Sequence, residues 1–199
     1  MGRNASISFG IVIAHHSVPL AIALENLWEA EEDAKKQQYF SGCRLENKKS
    51  CFNKKDAVQV RVLYGNGNIL NSTAKFDVFD QWKVLLNFKQ THPQVDFDPA
   101  LFEQAAELWS QHPVPFLQDS ADPFAAIAPW TQAFCERREL FKGEEKEKAK
   151  QDFQQALANY LKALCLTTEE KDRDRQIQNW LKLAAFTLRN RDIKIGGEK

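Results

Sequence analysis

Apolar and polar positions alternate from the start of the chain. Across residues 6–14, Ile7, Phe9, Ile11 and Ile13 fall on one side, and Ser8, Gly10, Val12 and Ala14 on the other. A period of two carried by β-branched residues predicts a strand. The second side is small and apolar, so both faces are expected to be covered, as in a central strand. Gly10 in its interior predicts close approach by another segment. Ser17 is placed to cap a helix, with Pro19 near its first turn. Leu20, Leu24, Leu27, Trp28 and Ala34 then recur at helical spacing and predict an amphipathic helix. Strand then helix in quick succession predicts a βα unit.

The pattern is interrupted by "SGCRLENKKSCFNKK", which is polar and predicts a loop. Alternation returns at Val58, Val60, Val62 and Tyr64. "GNG" then provides turn residues and "ILNSTAKF" leads back, which predicts a β-hairpin. From about Phe79 the period changes from two to that of a helix. "VFDQWKVLLNF" places Val78, Trp82, Leu85 and Leu86 on one face. Asp98 and Asp122 are each followed by proline and predict two helix starts. Pro129 is expected to kink or break the second. Phe153, Leu157, Tyr160, Leu161 and Leu164 stripe the next helix. A Thr with Glu three residues on (Thr167 and Glu170) predicts a capping box for the last, whose stripe is Ile177, Trp180, Leu181, Ala184 and Leu188. The expected fold is α+β: a partial palm-like unit of strand, helix and hairpin, then an all-α bundle of roughly five helices.

Composition sharpens this only in part. The chain has 199 residues, with Lys+Arg and Asp+Glu both 27, so it carries no overall basic charge to suggest nucleic acid. Cys43, Cys51, Cys135 and Cys165 form no Cys-x-x-Cys pair, and free thiols in a reducing, cytoplasmic setting are expected rather than a zinc site. The longest apolar run is too short to cross a membrane, and no membrane partner is expected.

Candidate chemistry is sparse. His15 and His16 follow the first strand, where ligands gather in α/β folds, although a polar pair there also simply ends a strand. Lys35 ends the first helix and can reach an anion, or can favour a helix C-terminus as a cation. Lys48, Lys49, Lys54 and Lys55 in the basic loop are candidates for RNA-backbone contact, and otherwise a solvated loop. Arg137, Arg138, Arg189 and Arg191 are planar donors suited to phosphate, though surface ion pairs are their commoner use. There is no Gly-rich phosphate loop, no His-Glu-x-x-His, no Gly-x-Ser-x-Gly and no loop of paired carboxylates that would hold magnesium. The chain by itself is therefore expected to be non-catalytic.

The segment "SISFGIVIAHHSVPLAIALENLWEAEEDAK" resembles the stretch that follows the Gly-Gly-Asp-Asp hairpin in the large subunit of type III-B CRISPR effector complexes (the Cas-ten, or Cmr-two, family). "DAVQVRVLYGNGNIL", "DQWKVLL", "APWTQAFCERREL" and "NWLKLAAFTLRNRDIKIGG" are similar to the remainder of that subunit. The resemblance implies that residues 1–77 are the last part of a second palm, ferredoxin-like or cyclase-like, and residues 78–199 a C-terminal helical domain. It implies a nucleotide-binding role for Lys35, with Ser8 and His15 on the segment lining the same pocket. It implies ATP with magnesium or manganese as ligands only alongside the missing palm half, and none for this chain alone. Implied partners are an amino-terminal half of the large subunit and the small helical subunit, with crRNA and target RNA engaged indirectly. The Gly-Gly-Asp-Asp motif, the HD nuclease pair and the first palm are all absent from the sequence, so neither cyclase nor nuclease activity carries over. The alternative is a free-standing helical interaction module, or the remnant of a degenerate gene, with no nucleotide role.

Overall fold

A computed structural model describes residues 7–37, 56–93, 98, 100–117, 121–136, 141 and 146–191. Among them are three strands and seven helices. The order is β1 (Phe9–Ala14), α1 (Leu20–Lys36), β2 (Ala57–Leu63), β3 (Ile69–Lys75), α2 (Phe76–Leu86), the short α3 (Phe88–Thr91), α4 (Ala100–Gln111), α5 (Ile127–Glu136), α6 (Lys146–Thr167) and α7 (Glu170–Arg189). The fold is mixed α+β and mostly helical. No described helix is long and apolar enough to cross a membrane.

The expected hairpin forms. β2 and β3 pair antiparallel, with Val62 opposite Leu70 and Val58 opposite Ala74. Their turn is closed by Tyr64 N–H donating to the Asn68 carbonyl and Gly67 N–H to that of Tyr64. Gly67 takes the turn's positive φ, 85°, which a side chain would resist. β1 lies parallel to β2, with Phe9, Ile11 and Ile13 in register with Val58, Val60 and Val62. The sheet order is β1-β2-β3.

That order corrects the first expectation. Among the described residues β1 is an edge strand, and only one of its faces is well covered. Ile7, Phe9, Ile11 and Ile13 are 56%, 48%, 40% and 42% exposed, whereas Val58, Val60 and Val62 beside them are buried. On the face opposite α1, the helices that cover β2 and β3 meet β1 at Phe76 of α2, whose ring lies 5.8 Å from that of Phe9. Packing runs from α7, α2 and α6 to β3, and from α2 to β2, while β1 meets α1 and β2.

One buried cluster joins the hairpin to the helices. It holds Val58, Val60, Val62, Leu70 and Ala74 of the sheet with Trp82, Phe102, Trp109, Phe153, Leu161 and Trp180. Trp180 is fully buried, its ring edge-on to Trp82 at 5.1 Å. Its Nε1–H donates to the Thr73 carbonyl, and its own carbonyl accepts from Trp82 Nε1–H.

Several expected helix signals act differently. Ser17 does not cap α1: the residue before the helix is Pro19, with no side-chain cap, and the Ser17 hydroxyl turns to His15. Pro129 neither kinks nor breaks α5. It lies in the first turn of a helix starting at Ile127, where a missing N–H leaves no bond unmade. Asp122 belongs instead to the preceding turn, accepting from Phe124 N–H and pairing with Lys162. Thr167 makes no capping box. It closes α6, its hydroxyl donating to the Ala163 carbonyl, and α7 begins after an uncapped Glu169. Asp98 behaves as expected and accepts from Ala100 N–H at 2.8 Å at the start of α4.

Candidate functional site: an open strand edge

β1 and α1 form the site, and Gly10 sets their separation. A Cβ at Gly10 would lie 2.7 Å from Glu31 N, 2.8 Å from Leu27 O and 3.0 Å from Ala30 Cβ. The helix backbone rests directly on the strand, so only small side chains fit between them. Ala30, Ala34 and Asn26 are accordingly the buried residues of α1. The expected stripe of Leu20, Leu24 and Trp28 is not core: those residues are 73%, 40% and 64% exposed. They flank the helix on the side away from β2.

The opposite flank of α1 is fixed to β2 by Arg61, whose side chain is only 8% exposed. Its guanidinium donates to Glu29 at 2.6 Å, Asn26 at 3.0 Å, Asp33 at 3.0 Å and Gln59 at 2.8 Å. The two carboxylates are half-exposed, so the clamp combines a desolvated fork with partly solvated partners. Arg61→Leu is expected to lower stability by about 2 kcal/mol, and Arg61→Lys to recover only part of that because an ammonium lacks the planar fork. Urea unfolding of both variants checks it.

The two edges of the sheet are treated differently. On β3 the outward backbone groups are taken up by α7. Gln176 Oε1 accepts from Thr73 N–H at 2.9 Å, Trp180 Nε1–H donates to the Thr73 carbonyl at 3.1 Å, and Asn179 Nδ2–H donates to the Asn71 carbonyl at 2.8 Å. On β1, His15 N–H donates to the Leu63 carbonyl and Ile7 N–H to the Asp56 carboxylate. The alternation of a parallel ladder therefore turns the N–H and C=O groups of Ser8, Gly10, Val12 and Ala14 outward. Among the described residues no strand pairs with that side of β1. Within β1 no Lys and no Pro interrupts the edge. No charged residue occurs from Ile7 to Leu24.

The candidate nucleotide residues separate into two ends of this unit. α1 runs back over β1, so Ser8 and Lys35 lie toward one end, and His15 lies at the other, roughly 20 Å along the strand from Ser8. The Ser8 hydroxyl is buried without a hydrogen-bond partner. Lys35 pairs with Glu31 at 2.7 Å and is 47% exposed. That i,i+4 order is favourable at the end of a helix. His15 is engaged locally. Its Nδ1 accepts from Ser17 N–H at 3.2 Å and lies 2.7 Å from Ser17 Oγ, which places the neutral ring's proton on Nε2. Gly65 in the hairpin turn packs on it: a Cβ there would lie 2.8 Å from His15 Nδ1. His16 stacks beside His15, with ring centroids 4.1 Å apart.

Lys48, Lys49, Lys54 and Lys55 lie outside the described residues, as do Arg137, Arg138, Cys43 and Cys51. Arg189 forms a two-pronged ion pair with Glu103. Arg191 donates to the Leu86 carbonyl and to Asn87 Oδ1. Both arginines therefore already have donors engaged by partners within the chain. Burial pushes the Cys135 and Cys165 thiols up to about 12, so neither is a thiolate nucleophile near neutral pH. No group of three or more His, Cys, Asp or Glu able to hold a metal occurs among the described residues. A cleft of about 450 Å³ beside Tyr64 is lined by Glu103, Glu107, Lys182 and Arg189. A groove of about 490 Å³ between α2 and α6 is lined by Val84, Ala156, Lys162 and Leu166. Neither brings together groups with an evident reaction.

Sequence reasoning missed the Arg61 clamp and the role of α7 as an edge cover. The signals were present: an arginine at an inward position of β2, and two amides, Gln176 and Asn179, beside the apolar stripe of α7.

No protein-family profile, curated protein or solved structure matches the chain.

Proposed function

We propose that this chain is the C-terminal portion of a type III-B CRISPR effector large subunit, contributing to antiviral defence as a non-catalytic part that joins an amino-terminal half and neighbouring subunits. The reading rests on the resemblance of residues 6–35 to the segment after the Gly-Gly-Asp-Asp hairpin. The single structural observation that favours it is the open outer edge of β1, uncharged and flanked by large apolar side chains. An edge of that kind suits another strand. A strand laid there would pass beneath the flank of α1 that carries Trp28 and ends in Lys35. In that arrangement the Lys35 ammonium would serve a nucleotide held by the added strands, with ATP and Mg²⁺ or Mn²⁺ as the ligands of the joined unit. The helices α2 and α4–α7 would then offer the docking surface for the small helical subunit, with RNA reached through the assembly.

The test is co-expression with an amino-terminal half bearing the Gly-Gly-Asp-Asp hairpin. Co-elution of the two pieces, with cyclic oligoadenylate formed from ATP and magnesium only by the mixture, is the expected result. A chain that never co-elutes with such a half overturns the reading.

One observation favours a second reading, a free-standing interaction module. The hairpin shares a single buried cluster with the helices, and α7 covers the edge of β3. No residue of β1 belongs to that cluster, which favours a chain that folds without a partner. A monodisperse chain indifferent to the amino-terminal half is the outcome that supports it.

A further inference from the structure

We infer that the outer edge of β1 is a self-association site, through which two copies of this chain pair antiparallel about a two-fold axis to form one continuous six-stranded sheet. The inference stands on the geometry of the edge and does not require the family reading above. In the proposed assembly the same edge would be given over to the amino-terminal half.

The outward backbone groups belong to Ser8, Gly10, Val12 and Ala14. Antiparallel pairing that uses them as hydrogen-bonded pairs sets Gly10 opposite the partner's Val12 and Ser8 opposite the partner's Ala14. The axis then passes beside Ile11, which faces its own copy, and Phe9 faces Ile13. Phe9, Ile11 and Ile13 each meet an apolar side chain on the same face of the sheet, and these three, exposed in one copy, become a shared apolar row, while Ile7 falls opposite the partner's His15. The strand itself carries no charge, since none occurs from Ile7 to Leu24, and on α1 Glu31, near the axis, is already paired with Lys35.

The other face fits as well. α1 lies over both β1 and β2, touching Gly10 on one and Arg61 on the other. Two such helices related by the axis run side by side roughly 10 Å apart, the spacing at which helices pack. Leu27 lies over Gly10, so Trp28 sits level with the axis. It is 64% exposed in the single chain, an unusual state for the largest side chain. Leu20 and Leu24 lie on the flank of α1 beside the gap between the helices, and Trp28 lies next to them toward the outer side of the helix. The exposed apolar area along the edge and its flanks is on the order of 800 Å² per copy, what one partner contributes to a standard interface.

The assembly closes at two copies. A sheet has two edges, and α7 already occupies the one on β3. Among the described residues each chain therefore has one free edge, and an isologous contact uses both.

The experiment is sedimentation equilibrium of the full chain at tens of micromolar. The wild-type chain is expected at dimer mass. Ile11→Lys sets two ammonium groups against each other across the axis, and Ile11→Glu does the same with carboxylates. Each is expected to raise the dimer dissociation constant at least about tenfold while far-ultraviolet circular dichroism stays that of the wild type, because Ile11 is an edge residue. An equal mixture of the two variants restores opposite charges and is expected to return to dimer mass. Trp28→Glu, which leaves the strand unchanged, is expected to weaken association too. A wild-type monomer, species larger than a dimer, or an Ile11→Lys chain that associates like the wild type each overturns the inference. So does a mixture of the two charged variants that stays monomeric.

Discussion

Trp180→Ala is expected to lower the stability of the chain by about 4 kcal/mol. Three losses combine. A fully buried indole is removed from the cluster that joins α7 to β3 and α2. Its edge-on contact with Trp82, centroids 5.1 Å apart, disappears. The Thr73 carbonyl loses its donor on the covered edge of the sheet. Trp180→Phe keeps a ring but not the donor, and is expected to cost less than the alanine change while still exceeding about 1 kcal/mol. Urea unfolding followed by near-ultraviolet circular dichroism checks both. A Trp180→Phe chain as stable as wild type would mean the Thr73 bond contributes nothing.

Gly10→Val is expected to be nearly as damaging, at about 3 kcal/mol. The atoms that a Cβ meets are backbone, Glu31 N at 2.7 Å and Leu27 O at 2.8 Å. Backbone in a helix cannot turn aside as a side-chain tip can. α1 must lift from the strand, which pulls Asn26, Glu29 and Asp33 away from Arg61. Gly10→Ala should show the same direction with a smaller loss. The distinguishing readout is local: amide exchange along α1 should quicken in these variants while α4 and α7 stay protected. Uniform quickening of all helices would mean that α1 and the helical core are one cooperative unit.

The elements were largely legible because their signals are local. Alternation at residues 7–13 and 58–64 is a strand signal whatever the strand packs on, and "GNG" forms the turn. What local pattern could not supply was which neighbour each face would meet. Leu20, Leu24 and Trp28 recur at the spacing of a core stripe, yet Gly10 brings α1 so close that only Ala30, Ala34 and Asn26 fit beneath it. The large residues are pushed to the flank. The same limit explains the reading of β1 as a central strand. Its composition suits burial on both faces, but burial depends on helices that cover β2 and β3 more fully than β1. Helix ends were misread for a related reason. Thr167 with Glu170 matches a capping box in sequence, but α6 continues to Thr167 and turns its hydroxyl back into the helix.

The candidate site was only partly visible. Lys35 and Ser8 lie near the edge that matters, but His15 is drawn into the local turn by Ser17 and Gly65. Arg189 and Arg191 suit phosphate in sequence but more commonly serve surface ion pairs; Arg189 makes such a pair with Glu103, and Arg191 bonds Asn87, partners about a hundred residues away.

Among the described residues β1 has one paired edge and one open edge. Hydrogen exchange in the Ile11→Lys chain, where self-pairing is disfavoured, measures this amide by amide. Fast exchange is expected at Gly10 and Val12, whose N–H groups point outward, and slow exchange at Ile13 and Val62, which are held in the sheet. Equal protection at Gly10 and Ile13 in that monomeric chain would contradict an open edge, because the edge would then be covered from within.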